Sequence, residues 1–469
     1  MTDKELYERL SYKPKNVYYE LDDAQTKQMY RLCDEYRKYL DYGKTERECI
    51  KISERMAIDN GFVKAESVDK LKPGDKVYFI NRDKNILLAV IGKEPCEAGF
   101  NIVGSHVDSP RLDLKPNPLY ESDEMAFLKT HYYGGIKKYQ WTTIPLALHG
   151  VVYTRDGEKV EVEIGEKDTD PVFCITDLLP HLAKDQMAKK MSDGVEGEAL
   201  NVLIGGMGVK SEEITEKVKF KVLNILNTMY GIREEDFLTA ELEIVPAFKA
   251  RNVGFDESFI GAYGQDDRVC AFTSLKSIFD IEDIPKKTAI CLLLDKEEIG
   301  SVGNTGMLSR FYDMTVAELI AKINGSCDMI TFNNTMKNSS FLSSDVSAAV
   351  DPNYESVYEK LNSAFAGHGL ILMKYTGSRG KSGASDASAE FMHEIISIMN
   401  NNDVIWQIGE LGKVDQGGGG TIAMYIGNLN MNVIDCGVPV LSMHAPFEVT
   451  AKSDIYMAYK AYKAFYMDR

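Results

Sequence analysis

The 469-residue sequence has no C-x-x-C pair among its eight cysteines, no apolar run long enough for a membrane span and no concentrated basic segment. Each absence excludes a class. Cysteines at 33, 49, 96, 174, 270, 291, 327 and 436 supply neither a zinc knuckle nor a dithiol motif. A helical span needs about 18 consecutive apolar residues, so no membrane association is expected. A formal net charge of −17 repels phosphate backbones, and short groups such as Lys189-Lys190 and Lys286-Lys287 read as solvated faces. No nucleic-acid partner is expected. Residues 1–10 are charged and lack the apolar centre of a secretory signal. Scattered thiols suit a reducing compartment, so a cytoplasmic protein is expected.

What is present is ordinary globular composition, 44% hydrophobic and 27% charged, in a chain longer than one typical folding unit. Residues 22–43 carry Met29, Leu32, Tyr36 and Leu40 at helical spacing, and residues 45–59 read as a second helix ending at Asn60-Gly61. Runs rich in β-branched or aromatic residues follow at 76–81, 86–91 and 100–103. Residues 146–153 and 160–164, joined through Asp156-Gly157, read as an antiparallel hairpin, and 194–208 as Gly-rich and irregular. Helix–strand alternation resumes after Asp267, with strands expected at 288–294, 329–332, 370–374, 404–408 and 433–436 and a helix at 453–467. The pattern predicts an α/β fold with a mixed central sheet flanked by helices, formed by residues 1–112 and 246–469. Residues 113–245 are expected to form an inserted, smaller β-rich domain.

Five short stretches place metal-ligand residue types at loops near strand ends. Gly104 to Pro110 follows a strand and contains His106-x-Asp108, in which an imidazole can bind metal while a carboxylate orients it. Alone, His106 also reads as a structural histidine. Asp266 opens a helix within Gly264 to Arg268, where it suits either a bridge between two metals or a helix N-cap. Glu297 and Glu298 follow the apolar run 289–294, at the end of a buried strand where α/β sheets carry their sites. A neighbouring ligand and base would use that pair, as would an exposed acidic turn. Asp345 and His444 complete the set, although each taken singly reads as a helix cap and a core histidine. Two histidines and three carboxylates together suit divalent ions such as zinc.

The strings SHVDSPRLDLKP, GQDDR, DKEEIGS, SSDVSAAVDPNY and MHAPFE occur in the order of the metal motifs of aspartyl aminopeptidases, and the chain resembles that family. The resemblance implies a zinc-exopeptidase-like fold and a cytosolic metallo-aminopeptidase that hydrolyses the N-terminal residue from peptides. It implies two divalent ions per subunit, zinc first, with cobalt or manganese as substitutes. His106 and Asp345 would hold one ion, Glu298 and His444 the other, and Asp266 would bridge. Glu297 would be the general base, and Asp108 would stand behind the metal–His106 bond. The string LLPHLAKDQ resembles a segment whose histidine, here His181, reaches into a neighbouring subunit's site. Lys374 and the Gly419–Thr421 segment match substrate-lining positions. A tetrahedral homo-dodecamer with sites facing an inner chamber follows from the same resemblance, the inserted domain serving oligomerisation and active-site closure.

The chain departs from the family's eukaryotic members at Ala348 and Asp351, where they carry histidines, and at Gly383 and the 443–448 stretch. None of these positions is a ligand or the base. Asp351, facing the pocket, would repel an acidic side chain, so neutral or basic N-terminal residues are expected to be released at least as fast as Asp or Glu. Two other readings fit the same motifs: a related two-metal amide hydrolase acting on N-acylated amino acids, and a catalytically silent, metal-stabilised shell protein. A retained base beside all five ligand types weighs against the silent shell.

Overall fold

A strand covered on both faces reads as a near-continuous apolar run, and Asn85–Val90, Phe100–His106 and Thr288–Leu294 are buried along their whole length. The computed structural model describes residues 1–467. Alternation within these strands divides the core in two. Ala289, Cys291 and Leu293 pack with residues of helices Asp23–Tyr42, Gln265–Phe279, Ala389–Asn401 and Lys452–Tyr466. Ile290, Leu292 and Leu294 face the other way, against Phe311–Asn324, Met329–Lys337 and Ala423–Gly427. The result is a helix–sheet–helix sandwich.

The sheet has nine strands, ordered Val63–Lys64, Lys76–Asn81, Asn85–Val90, Thr288–Leu294, Phe100–His106, Ser340–Ser344, Asn432–Gly437, Leu370–Met373 and Trp406–Ile408. Its four central strands, from Thr288–Leu294 to Asn432–Gly437, run parallel, and antiparallel pairs flank them. The mixed α/β class is therefore the fold of the chain. Parallel pairing sets Leu294 beside His106, so the loops leaving these strands emerge at one edge. A sheet of five short strands includes Ser347–Ala348, which follows Asp345 in sequence, and Glu448–Ala451, which follows His444.

A third sheet of six antiparallel strands draws only on residues 111–246: Lys159–Ile164, Leu146–Tyr153, Ala240–Pro246, Arg111–Ser122, Met125–Tyr133 and Val202–Gly205. It has its own core, built around Trp141, Leu148, Val202 and Ile244. The expected hairpin is present, with Leu148 opposite Ile164 and Tyr153 opposite Lys159.

Two local expectations differ from the structure. Residues 329–332, read as a strand, form the start of helix Met329–Lys337, because Asp328 caps it by accepting the Thr331 N–H at 2.8 Å. A four-residue apolar run is too short to distinguish the two periods. The stretch 194–208, read as irregular, contains strand Val202–Gly205, paired with Met125–Tyr133. The helix Lys217–Tyr230 within the insertion had no counterpart in the sequence reading.

Buried charges join the six-stranded sheet to the first helices. His149 lies between Glu48 of helix Glu46–Asp59, at 2.7 Å, and Glu166, at 3.2 Å. Lys44 and Lys249 also approach Glu166. Burial lowers the proton affinity of His149, but Glu166 and Glu48 outweigh it and raise the pKa to about 9. Burial opposes ionisation of Glu166, while His149 and Lys44 bring it down to about 2. The His149 contribution is complete below the ordinary imidazole value of 6.5 and is lost as pH rises through about 9. The Glu166 contribution is complete above 4.5 and is lost as pH falls through about 2. Replacing His149 with Gln should therefore lower the unfolding midpoint most near pH 6 and progressively less towards pH 10. A gap between variant and parent that stays constant over that range would remove His149 as the source of the pH dependence.

Candidate metal centre

The loops leaving the central strands carry the ionisable groups singled out in the sequence. His106 ends its strand, and its Nε2 lies 3.2 Å from Asp266 Oδ1, 3.7 Å from Asp345 Oδ1 and 4.0 Å from Glu297 Oε2. His444 Nε2 approaches the same cluster from another loop, 3.1 Å from Asp266 Oδ2 and 3.6 Å from Glu298 Oε2. Asp266 thus turns one carboxylate oxygen to each histidine. His106, Asp266, Glu297, Glu298, Asp345 and His444 are brought together from segments up to 338 positions apart in sequence, the span from 106 to 444.

A layer of hydrogen bonds fixes these groups. Asp108, fully buried, accepts the backbone N–H of Glu297 at 3.1 Å and of Glu298 at 3.2 Å, and the Tyr133 hydroxyl at 2.8 Å. Its Oδ1 also lies 3.3 Å from His106 Nδ1. The Asp108 backbone carbonyl is nearer still, 3.0 Å from Nδ1, so this residue orients both the imidazole and the Glu-Glu turn. Glu448 holds the backbone of the other histidine, accepting the main-chain N–H of His444 at 2.7 Å and of Asp266 at 3.0 Å. His444 Nδ1 is 2.8 Å from the Gly135 carbonyl, which accepts its proton. Tyr133 and Gly135 belong to the six-stranded unit, so that unit supports both histidines.

Unneutralised, the cluster holds too much negative charge. Burial and the neighbouring Asp345 push Glu297 up to about 8. Burial and Asp266 lift Glu298 well above the carboxylate range, and burial raises Asp345. Burial also works against the charge on Asp266, but bonds to His106 and His444 hold it below its ordinary value. Glu298 Oε1 and Asp267 Oδ1 are buried with no hydrogen-bond partner among the described residues. Carboxylates that repel one another and orphaned oxygens beside imidazole nitrogens form a donor set that a divalent cation satisfies. Among the described residues, two triads have donor atoms mutually within 4.8 Å: His106–Asp267–Asp345 and His106–Asp266–Glu298. The first contains Asp267 where the sequence motifs single out its neighbour.

A cavity of about 540 Å³ opens onto Asp266, Glu297, Glu298, Asp345 and His444, and Gly419 and Thr421 line its far wall. Other expected positions lie elsewhere. Lys374 is bound to Asp386 and the Ala387 carbonyl, both at 2.8 Å, and does not line the cavity, whereas Arg379 and Lys381 do. Asp351 caps the short helix Pro352–Val357 by accepting the Asn353 N–H at 2.9 Å. Neither Asp351 nor Ala348 lines this cavity. His181 is exposed on the inserted unit, outside this cavity. Sequence reasoning missed Tyr133, Gly135, Asp267 and Glu448 as contributors. Asp267 and Glu448 stand inside quoted motifs, but Tyr133 and Gly135 have no local signal.

The family model of aminopeptidase I zinc metalloproteases (M18) matches residues 39–466. A probable M18 family aminopeptidase 1 of Clostridium acetobutylicum is 51% identical over 455 residues, covering 96% of this chain and 97% of the relative. The crystal structure of an M18 aminopeptidase from Thermotoga maritima superposes with a TM-score of 0.94 at 44% identity, covering 98% of this chain and all of that one. The fold extends to the S. cerevisiae mApe1 dodecamer, with a TM-score of 0.74 at 20% identity, covering 93% of this chain and 96% of that one. Motif order, site geometry and full-length similarity agree: the chain belongs to the M18 family of zinc metallo-aminopeptidases.

Proposed function

We propose that the cluster holds two divalent ions, zinc in preference to cobalt or manganese, and removes N-terminal residues from peptides. His106 and Asp345 would hold one ion and Glu298 and His444 the other, with Asp266 available to both. The observation that carries this reading is Asp266, whose two oxygens stand 3.2 and 3.1 Å from the two different imidazoles. When bound, such ions polarise a carbonyl and make water a stronger acid.

Glu297 is the general base. It lines the cavity beside the ligands without being one of them, and it takes a proton from the attacking water and returns it to the leaving amine. Asp108 keeps that turn in place through its backbone N–H groups. The acidic cluster also receives the positively charged α-amine, which restricts attack to chain ends. Replacing Glu297 with Gln preserves shape and charge-independent packing, so zinc content should be unchanged while turnover falls ~10²–10⁴-fold. Near-normal turnover in the zinc-loaded variant would sink the assignment.

The inserted unit, residues 113–245, serves oligomerisation and closes a neighbour's site. Leu178, Leu179, Leu182, Met187 and Met191 are exposed around His181, an apolar surface that a second copy of the chain would cover. The distant yeast relative is a dodecamer, and a tetrahedral dodecamer with inward-facing sites is the assembly we assign here. His181 then reaches the neighbouring cavity and stabilises developing negative charge. Mixed assemblies of His181→Ala and Glu297→Gln subunits should recover activity, because some sites receive an intact His181 from the Glu297→Gln partner. Activity equal to the weighted average of the two parents would exclude sharing. Eight free cysteines, six of them buried, support a cytoplasmic location.

Substrate choice follows from the cavity wall. Arg379, Lys381 and Lys413 line it, Lys381 pairing with Asp386 at 2.9 Å, and the lining carboxylate of Glu410 accepts the Tyr375 hydroxyl at 2.6 Å. Met373, Leu411, Met424 and Met443 supply apolar surface. Asp386 takes up the charge of Lys381 and Glu410 adds a carboxylate to the lining, so the apolar surface rather than the cations sets the fit of the released side chain. Leucyl-arylamide should be cleaved with kcat/KM at least equal to that of the aspartyl compound, and a clear aspartyl preference would contradict the charge assignment of the wall.

A further inference from the structure

Asp435 is a charged residue inside the central sheet that the proposed chemistry leaves unused. Its strand, Asn432–Gly437, runs between Ser340–Ser344 and Leu370–Met373, and its neighbours Val433, Ile434 and Cys436 are buried and apolar. Asp435 is itself 0% exposed. A carboxyl group there costs more than an apolar side chain unless specific partners use it. Burial pushes it up to about 7, with the Thr421 hydroxyl opposing.

Its partners are two threonines from separate loops. Thr421 Oγ1 donates to Asp435 Oδ1 at 2.5 Å, and Thr376 Oγ1 to Oδ2 at 3.5 Å. Thr376 precedes Gly377, and Thr421 follows the run Gly417 to Gly420. The two loops pair as a short antiparallel ribbon, with Gly377 opposite Gly419 and Ser378 opposite Gly418. Glycine is required by the close approach: a Cβ on Gly418 would lie 2.3 Å from the Gly377 carbonyl oxygen. Thr376, Thr421 and Gly419 line the cavity that also contains Glu297 and the ligand residues.

We propose that Asp435 is a positioning residue for substrate, anchoring Thr376 and Thr421 so that their ribbon forms the wall against which the side chain of the released residue packs. The inference rests on the aminopeptidase reading of the cavity. Asp435 touches no reacting atom; it fixes the width of the subsite from beneath. Loss of the anchor weakens binding in the ground state and transition state alike, which raises KM while leaving kcat nearly constant.

The test uses the zinc-loaded enzyme and alanyl-, leucyl- and phenylalanyl-arylamides. Asp435→Asn and Thr421→Val should each raise KM about tenfold, the effect of losing one hydrogen bond to a charged group. The increase should differ among the three substrates, kcat should stay within about threefold, and zinc content should be unchanged. Thr421→Ser, which keeps the hydroxyl, should restore KM. A purely structural role would lower kcat through a smaller active fraction, with KM and substrate order intact, and that outcome overturns the proposal. Unchanged KM values in Thr421→Val overturn it too, even where Asp435→Asn fails to fold. An active Glu297→Gln enzyme would instead overturn the reading of the site, a separate result from any change in KM at Thr421.

Discussion

Mutual repulsion among Asp266, Asp267, Glu297, Glu298 and Asp345 is the constraint around which the molecule is arranged. Ionised carboxylates removed from water cost several kcal/mol each unless cations or hydrogen bonds compensate them. The two imidazoles compensate only in part, as the raised proton affinities of Glu297, Glu298 and Asp345 indicate. A divalent cation, such as the zinc named in the M18 family description, would supply the remaining positive charge.

Such a cluster survives because its framework is rigid. Parallel strands buried on both faces end together, and loops leaving them bring residues from distant segments to one edge. Asp108 then connects the histidine of one loop with the paired glutamates of another. Glu448 connects the second histidine with Asp266. Each orienting carboxylate accepts backbone N–H groups, which satisfies its charge without drawing the ligand oxygens away from the centre.

The six-stranded unit contributes more than bulk. Through Tyr133 and Gly135 it reaches behind both histidines, and through Arg111, His149 and Glu166 it meets the first helices with buried charge pairs. Displacing this unit would leave several of those charges unpaired, a larger penalty than an apolar contact of equal area would carry. The site and the contact between the two units are therefore linked by residues that neither could release alone.

Much of this was legible in the linear sequence. The apolar runs at 86–91, 100–103 and 288–294 identify strands covered on both faces, because only such strands tolerate no polar alternation. Five motifs mark the candidate ligand residues, through the resemblance of their order to a known family rather than through spacing. Tertiary structure decided the rest. The four residues 329–332 became helix because Asp328 caps them, a contest that four apolar residues cannot settle. Lys374 binds Asp386, and Asp351 accepts the Asn353 N–H. Tyr133, Gly135 and Asp435 acquired their roles from partners between 14 and 309 positions away. Residue type is a local property and can be read along the chain, whereas the direction in which a charged side chain points depends on which partner lies within about 3 Å after folding.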